Sequence, residues 1–142
     1  MRFMMLMIPK GYEKAKPGTV PDAKQVAAMM KYNESLQKAG VLLALDGLHP
    51  PSMGARVSFK KGKPKVVDGP FAEAKEVLGG YWMIQVKSRE EAVEWAKRAP
   101  MGDDELIEVR QVQEFDDFPK DVKKAAKGFD EMQKKAARRR KA

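Results

Sequence analysis

Residues 2–8 read Arg-Phe-Met-Met-Leu-Met-Ile, an apolar run that decides the fold. Alternate residues of a β-strand point to opposite faces of a sheet, and here both sets are apolar. The two sets are Phe3, Met5 and Met7 on one face, and Met4, Leu6 and Ile8 on the other. A strand that is apolar on both faces must be covered on both faces, so this segment predicts a strand with protein on either side.

Two helices are predicted from their start signals. Thr19 and Asp22 have the spacing of a capping box, with Asp in place of Glu, and a helix should follow to about Ala39. Ser88 and Glu91 form a second capping box in the sequence, and the helix after them should end at the next proline.

The other apolar runs predict three further core strands and one hairpin. The core strands are expected at Val41–Leu45, Tyr81–Val86 and Leu106–Val112. The hairpin is expected from the alternating segment Ala55–Lys60, a Lys-Gly-Lys turn and a return strand at Lys65–Val67. A short helical segment is expected at Ala72–Val77.

This order of elements predicts an α+β fold. Strand, helix, strand, hairpin, strand, helix, strand is most simply a ferredoxin-like sandwich with a β-hairpin insertion and both helices on one sheet face. The other face would expose apolar side chains, and a second copy of the same sheet is the simplest cover for it. We therefore expect a homodimer built by residues 1–119, followed by a basic extension at 120–142 that is helical or partly ordered.

Composition excludes several classes of protein and site. The 142 residues are 43% hydrophobic and 34% charged, which is typical of one globular domain, and no apolar run is long enough to span a membrane. The chain has no cysteine, which excludes disulfides, thiolate catalysis and iron–sulfur clusters and fits a cytoplasmic protein. A single histidine excludes metal sites that need several imidazoles, and no motif predicts a cofactor.

The net charge of +8 is concentrated in the C-terminal extension. Residues 120–142 contain ten Lys or Arg and three Asp or Glu, so they carry +7. The remaining 119 residues carry only +1, which does not indicate a nucleic-acid-binding domain. We expect at most a weak, salt-sensitive contact of the extension with polyanions; the alternative is that it only aids solubility.

The segment Asp68–Tyr81, DGPFAEAKEVLGGY, resembles the signature of the YCII-related family, in its DGPF subgroup. The segments Ala39–Leu42, Gly47–Pro51 and Glu108–Arg110 are also similar to that subgroup, and the resemblance covers roughly residues 1–115. It implies a ferredoxin-like protomer and a sheet-to-sheet homodimer, the dimeric α+β barrel. It implies little about a reaction, but relatives are often encoded beside extracytoplasmic-function sigma factors, so a regulatory link is conceivable.

One feature of the family is missing from this chain. The better-described YCII branch carries a proposed His–Asp pair, with the His in the first helix and the Asp after the second. The matching positions here are near Met29 and near Ala99, and neither side chain can titrate. The resemblance therefore extends to the fold more safely than to that chemistry.

Asp68 and His49 are the candidate catalytic residues. A carboxylate at the mouth of an open sheet can orient a ligand or act as a general base, whereas the alternative for Asp68 is a turn-forming Asp-Gly-Pro. Histidine exchanges protons near neutral pH, and His49 would work beside Asp68 if the fold brings them together. The alternative for His49 is an ordinary surface position or a place at the dimer edge.

Four residues on the predicted strands are candidates for ligand binding. Glu108 and Arg110 are two residues apart and so share one face of the last strand, where Arg110 could hold an anionic group. The alternative is that they form an ion pair. Tyr81 and Gln85 share a face of the preceding strand and could join them, or they could simply pack.

Two functions from different classes follow. The first is a homodimer that binds an unknown small molecule in a cavity at or near the dimer interface, with acid–base chemistry at Asp68 and His49. The second is a noncatalytic regulatory or interaction module linked to a transcription system. No nucleophile–base pair or phosphate-binding glycine loop identifies an enzyme class.

Overall fold

The computed structural model describes residues 1–141; the last residue of the predicted extension, Ala142, lies outside them. The chain divides into two compact units, Met1–Gln111 and Val112–Ala142. The strands of the first unit are β1 Arg2–Ile8, β2 Leu42–Gly47, β3 Ala55–Lys60, β4 Lys63–Asp68, β5 Gly80–Gln85 and β6 Leu106–Gln111. Its two α-helices are α1 Ala23–Lys38 and α2 Arg89–Lys97.

Four of these strands form one antiparallel sheet in the order β2-β5-β1-β6. Each helix connects two strands of this sheet, and core side chains of both α1 and α2 pack against the same face of it. This is the ferredoxin-like α+β arrangement, so the predicted fold class is confirmed. Among residues 1–141, no helix combines the length and apolar character that a membrane span requires.

The apolar run that opens the chain forms β1, which is an inner strand of the four-stranded sheet. Phe3 and Met5 point towards the helices and are almost completely buried, as the alternation predicts. They pack with Trp82 and Ile84 of β5 and with side chains of both helices. Burial of each large apolar side chain contributes roughly 1.5–3 kcal/mol, which makes this layer the main source of stability.

The caps of the two helices agree only partly with the sequence prediction. Ser88 caps α2 as predicted, because its hydroxyl accepts from the Glu91 N–H at 3.1 Å. The N-cap of α1 is Asp22, which forms a capping box with Gln25. The Thr19 hydroxyl instead donates to the carbonyl of Lys16, so the first helix starts later than the predicted box would place it.

Strands β3 and β4 pair only with each other and form the predicted hairpin. All of their residues are exposed, which shows that the hairpin contributes little to the core.

The segment after the hairpin corrects one prediction, because no helix forms at Ala72–Val77. A single turn closes there, from the Ala74 N–H to the Phe71 carbonyl. Tertiary contacts hold the segment in another conformation, because Val77 is buried and the N–H of the nearby Gly79 donates to the Met7 carbonyl at 2.8 Å.

The second unit holds two α-helices among its described residues, α3 Lys120–Ala125 and α4 Phe129–Lys141. They are separated at Gly128, whose φ of 93° is the left-handed conformation that glycine adopts at helix ends. Within this unit, the Lys123 ammonium lies 5.9 Å from the centre of the Phe115 ring, and Lys134 pairs with Asp130 at 3.4 Å. The unit begins at Val112, eight residues before the predicted extension.

Candidate functional site

A cleft of about 770 Å³ lies on the helix side of the sheet, at the end where β1 and β2 finish and β5 begins. Its walls come from the loop between β1 and α1, residues 24–33 of α1, the Gly47–His49 turn, Gly79 and the loop between α2 and β6. These segments are far apart in the sequence, and the sheet brings their ends together. The cleft therefore belongs to the fold of the first unit rather than to any single motif.

The walls of the cleft are mainly apolar and rich in methionine. Met7, Met29, Met30 and Met101 all line it, whereas Met5 is fully buried in the core. Flexible thioether side chains adapt to differently shaped ligands, so this wall suits an apolar guest. Met29 lies near the position to which the resemblance assigns the proposed histidine, and its own side chain is apolar.

Polar contacts hold the loops around the cleft in place. The Tyr12 hydroxyl donates to the carbonyl of Leu48 at 2.6 Å and so fastens the loop after β1 to the turn after β2. Burial raises the pKa of Tyr12 above its ordinary value. The Glu105 carboxylate accepts from the backbone N–H groups of Lys10 at 3.1 Å and Gly102 at 2.9 Å, which joins the loop after β1 to the loop between α2 and β6.

A second cavity of about 340 Å³ adjoins the cleft along the edge strand β2. The two cavities share Met7, Met29, Asn33 and Gly47 in their walls. The second cavity also reaches Tyr81, whose hydroxyl donates to the carboxylate of Asp46 at 2.5 Å. Tyr81, one of the four predicted ligand-binding residues, therefore lies beside this extension.

The two predicted catalytic residues occupy different parts of the first unit. His49 lines the cleft and is exposed. Asp68 is the last residue of β4, is exposed, pairs in register with Ala55 and does not line the cleft. Within residues 1–141, no hydrogen bond or ion pair joins the two side chains, so their joint acid–base role stays a prediction.

All four predicted ligand-binding residues, Tyr81 included, lie on the sheet face opposite the helices. Arg110 and Glu108 form an exposed ion pair there at 3.4 Å, as the alternative interpretation expected. Leu6 of β1 is in register with Glu108 on one side and with Tyr81 on the other. Tyr81 is thus two strand spacings, about 10 Å, from Glu108. Gln85 is exposed at the far end of β5, so the four residues form no single cluster.

The signature segment that follows β4 has clear structural contacts. The Gly69 N–H donates to the carbonyl of Gly54 at 2.9 Å, which joins the segment to the loop before the hairpin. The guanidinium of Arg56 lies 4.1 Å from the centre of the Phe71 ring, a cation–π contact. These contacts give the Asp-Gly-Pro-Phe segment a role in positioning the hairpin.

Sequence reasoning missed Asn33 and Tyr12 as residues of the cleft. Asn33 follows Met29 by four residues and Met30 by three, so all three lie on one side of α1. A polar residue beside two apolar ones on the same side of a helix was the available signal. No such signal existed for Tyr12, because its contact with the Leu48 carbonyl spans 36 residues.

The described part of the chain has no group of three or more His, Cys, Asp or Glu side chains arranged to hold a metal ion.

Comparison with known proteins identifies relatives. The family model described as the YCII-related domain matches residues 1–116. An uncharacterised protein of Rhizobium meliloti (strain 1021) is 38% identical over 71 residues, which are 50% of this chain and 54% of that protein. The chain thus matches about half the length of this relative.

A solved structure is also similar. It is a 5-chloro-2-hydroxyhydroquinone dehydrochlorinase from Burkholderia phenoliruptrix in complex with 2,5-dihydroxybenzoquinone. The two chains are 14% identical, with a TM-score of 0.38, and the match covers 80% of this chain and 96% of the other. This similarity is too low to transfer the role of any residue.

Proposed function

The chain belongs to the YCII-related family, and we propose that it binds a small, largely apolar molecule in the cleft beside α1. The cleft itself supports this proposal. Its volume of about 770 Å³ falls within the roughly 300–1,000 Å³ typical of ligand pockets, and its walls are apolar with a few polar groups.

His49 is the group that we assign to proton transfer if the bound molecule reacts. It lines the cleft, and imidazole both accepts and donates protons near neutral pH. Asp68 lies outside the cleft walls, so its predicted part in acid–base chemistry requires a ligand that extends to the hairpin. The assignment of His49 does not depend on Asp68.

The binding proposal can be tested with Nile red, an uncharged apolar dye whose fluorescence rises in apolar surroundings. Ala28 lines the cleft and is exposed on α1, so Ala28→Trp places an indole in the cleft without disturbing the core. Ala27 is the neighbouring exposed alanine and is not part of the wall, so Ala27→Trp is the matched control. We expect the wild type and A27W to bind the dye and A28W to lose at least tenfold in affinity. Equal binding by all three would overturn the proposal.

The exposed hairpin supports the second candidate, a noncatalytic interaction or regulatory module. Val57, Phe59 and Val66 share one face of it, with Phe59 75% exposed. Arg56 and Lys65 lie on the other face. A protruding element with one apolar and one basic face suits a protein partner. Association with a purified sigma factor that is lost in Phe59→Ser, with no dye binding in the cleft, would favour this candidate.

A further inference from the structure

Asn33 lies where the cleft and the adjoining cavity meet, because it is part of both walls. It is half-buried on α1 and faces the sheet. Its amide is therefore available to a molecule in either cavity, and the orientation of that amide decides whether it donates or accepts.

Trp82 fixes the orientation of the amide. The indole Nε1–H of this buried residue donates to the Asn33 Oδ1 at 2.8 Å. An indole nitrogen can only donate, so a flipped amide would place its NH₂ against another donor. The carbonyl oxygen of Asn33 thus accepts from Trp82, and this hydrogen bond fixes the position of the NH₂ group, which can only donate.

The NH₂ group has only a weak partner in the protein. Its described contact is with the thioether sulfur of Met30 at 3.7 Å, and sulfur is a poor acceptor. An amide nitrogen carries two N–H bonds, so at least one remains for a ligand. The ligand atom that takes this hydrogen bond must be an acceptor, and a carbonyl-type oxygen is a strong acceptor that an otherwise apolar molecule can carry.

The charged groups on the walls favour an uncharged ligand. The Lys10 ammonium pairs with Asp104 at 3.2 Å, and both oxygens of the Glu105 carboxylate accept backbone N–H bonds. Lys24 is exposed to solvent. The Tyr12 hydroxyl donates to the Leu48 carbonyl, and its oxygen can also accept a hydrogen bond from a ligand.

We propose that Asn33 is the residue that orients the ligand, and that the ligand class is an uncharged, apolar molecule with a carbonyl-type oxygen. This rests on the proposed function, because it assumes that the cleft binds a small molecule. The hydrogen bond from Trp82 orients the NH₂ group of Asn33 as the donor to the ligand oxygen. The methionine side chains of the cleft wall contact the apolar part of the ligand.

The test compares two uncharged apolar dyes that differ in one group. Nile red has a carbonyl oxygen, whereas diphenylhexatriene is a pure hydrocarbon. Asn33→Asp keeps an oxygen for Trp82 but replaces the donor by an acceptor, and Asn33→Leu keeps the volume and removes both groups. We expect each variant to lose about five- to tenfold in affinity for Nile red relative to its affinity for diphenylhexatriene, as for one lost hydrogen bond.

The emission of bound Nile red gives a second readout. A hydrogen bond to its carbonyl shifts emission to longer wavelength, so the dye bound to N33L should emit at shorter wavelength than the dye bound to the wild type. If Nile red binds the wild type but both variants bind the two dyes with unchanged relative affinity, the role of Asn33 is overturned while the proposed function stands. If neither dye binds the wild type, the proposed function and this inference both fail.

Discussion

The carbonyl oxygen of Pro51 occupies the space that a side chain at position 69 would need. A Cβ built on Gly69 would lie 1.7 Å from that oxygen and 2.7 Å from the carbonyl carbon. Pro51 belongs to the short turn after β2, and Gly69 follows the last residue of β4. The glycine of the signature segment is thus the point where the chain leaving the hairpin meets the body of the first unit.

We expect Gly69→Ala to destabilise the protein because the added methyl group forces the backbone apart at Pro51. Overpacking of this kind costs roughly 1–3 kcal/mol of the free energy of unfolding. Urea unfolding followed by circular dichroism measures the change. Gly47→Ala is the control, since a Cβ at Gly47 meets nothing within 4 Å. A G69A protein with the stability of the wild type would show that the segment moves without cost.

Asp68→Asn and His49→Gln test whether the two predicted catalytic residues act together. No described contact joins them, so we expect their effects on Nile red affinity to add within about 0.3–0.5 kcal/mol in a double-mutant cycle. Both residues are exposed, so neither change should alter the free energy of unfolding by more than about 0.5 kcal/mol. A larger coupling would show that the hairpin and the cleft share a ligand.

The fold was predictable from local sequence signals, and the cleft was not. The alternation in Arg2–Ile8 predicts which side chains of β1 share a face, and the capping box at Ser88 predicts where α2 begins. The alternating pattern of Ala55–Lys60 predicts the first strand of the hairpin with both of its ends correct. The cleft instead depends on contacts between distant loops, such as Tyr12 with Leu48, which no periodicity encodes. The helix expected at Ala72–Val77 is absent for the same reason, because burial of Val77 and the hydrogen bond from Gly79 to Met7 depend on residues distant in the sequence.

Tyr32 makes the free energy of unfolding decrease at alkaline pH. Burial raises its pKa to about 12, with a smaller opposing effect from Arg98, and its hydroxyl donates to the Trp95 carbonyl at 2.7 Å. An unfolded tyrosine ionises near pH 10. The unfolded state therefore loses this proton first, and the stabilisation present below about pH 10 is lost as the pH rises towards 12.

We expect Tyr32→Phe to reduce the free energy of unfolding at pH 8 by about 1 kcal/mol, the usual contribution of one hydrogen bond. The same variant should lose less stability than the wild type between pH 9 and pH 11.5. Urea titrations at a series of pH values measure both effects. Parallel pH profiles for the two proteins would contradict the assignment to Tyr32.

The sheet face opposite the two helices of the first unit leads us to expect a homodimer in solution. It presents Met4 and Leu6 of β1 and Met83 of β5, all of them half-buried. Light scattering at micromolar concentration should give twice the chain mass of 16.0 kDa. Met83→Lys should shift the protein towards the monomer, whereas Gln37→Lys, at an exposed position of α1 on the other side of the sheet, should not. A wild-type species of 16.0 kDa would exclude the sheet-to-sheet dimer.

The basic C-terminal residues are expected to be dispensable for folding and to carry any polyanion binding. A chain of residues 1–119 keeps every strand of the sheet, since β6 ends at Gln111, and it lacks α3 and α4. Its net charge falls from +8 to +1. We expect this shortened protein to fold and to dimerise, as measured by thermal melting and light scattering. A shortened protein that unfolds or becomes monomeric would show that the extension is part of the fold.

Titration with single-stranded DNA at several salt concentrations tests the second part of this prediction. Binding by the full-length protein should be weak and should fall steeply with salt, because it depends on the release of counterions from phosphates. The triple change of Arg138, Arg139 and Arg140 to Gln keeps the length of α4 while it removes three positive charges. We expect it to reduce the slope of log K against log salt, and we expect the 1–119 protein to show no binding. Equal binding by the shortened protein would place a polyanion site in the nearly neutral body, with the basic residues of the β3–β4 hairpin as the first place to look.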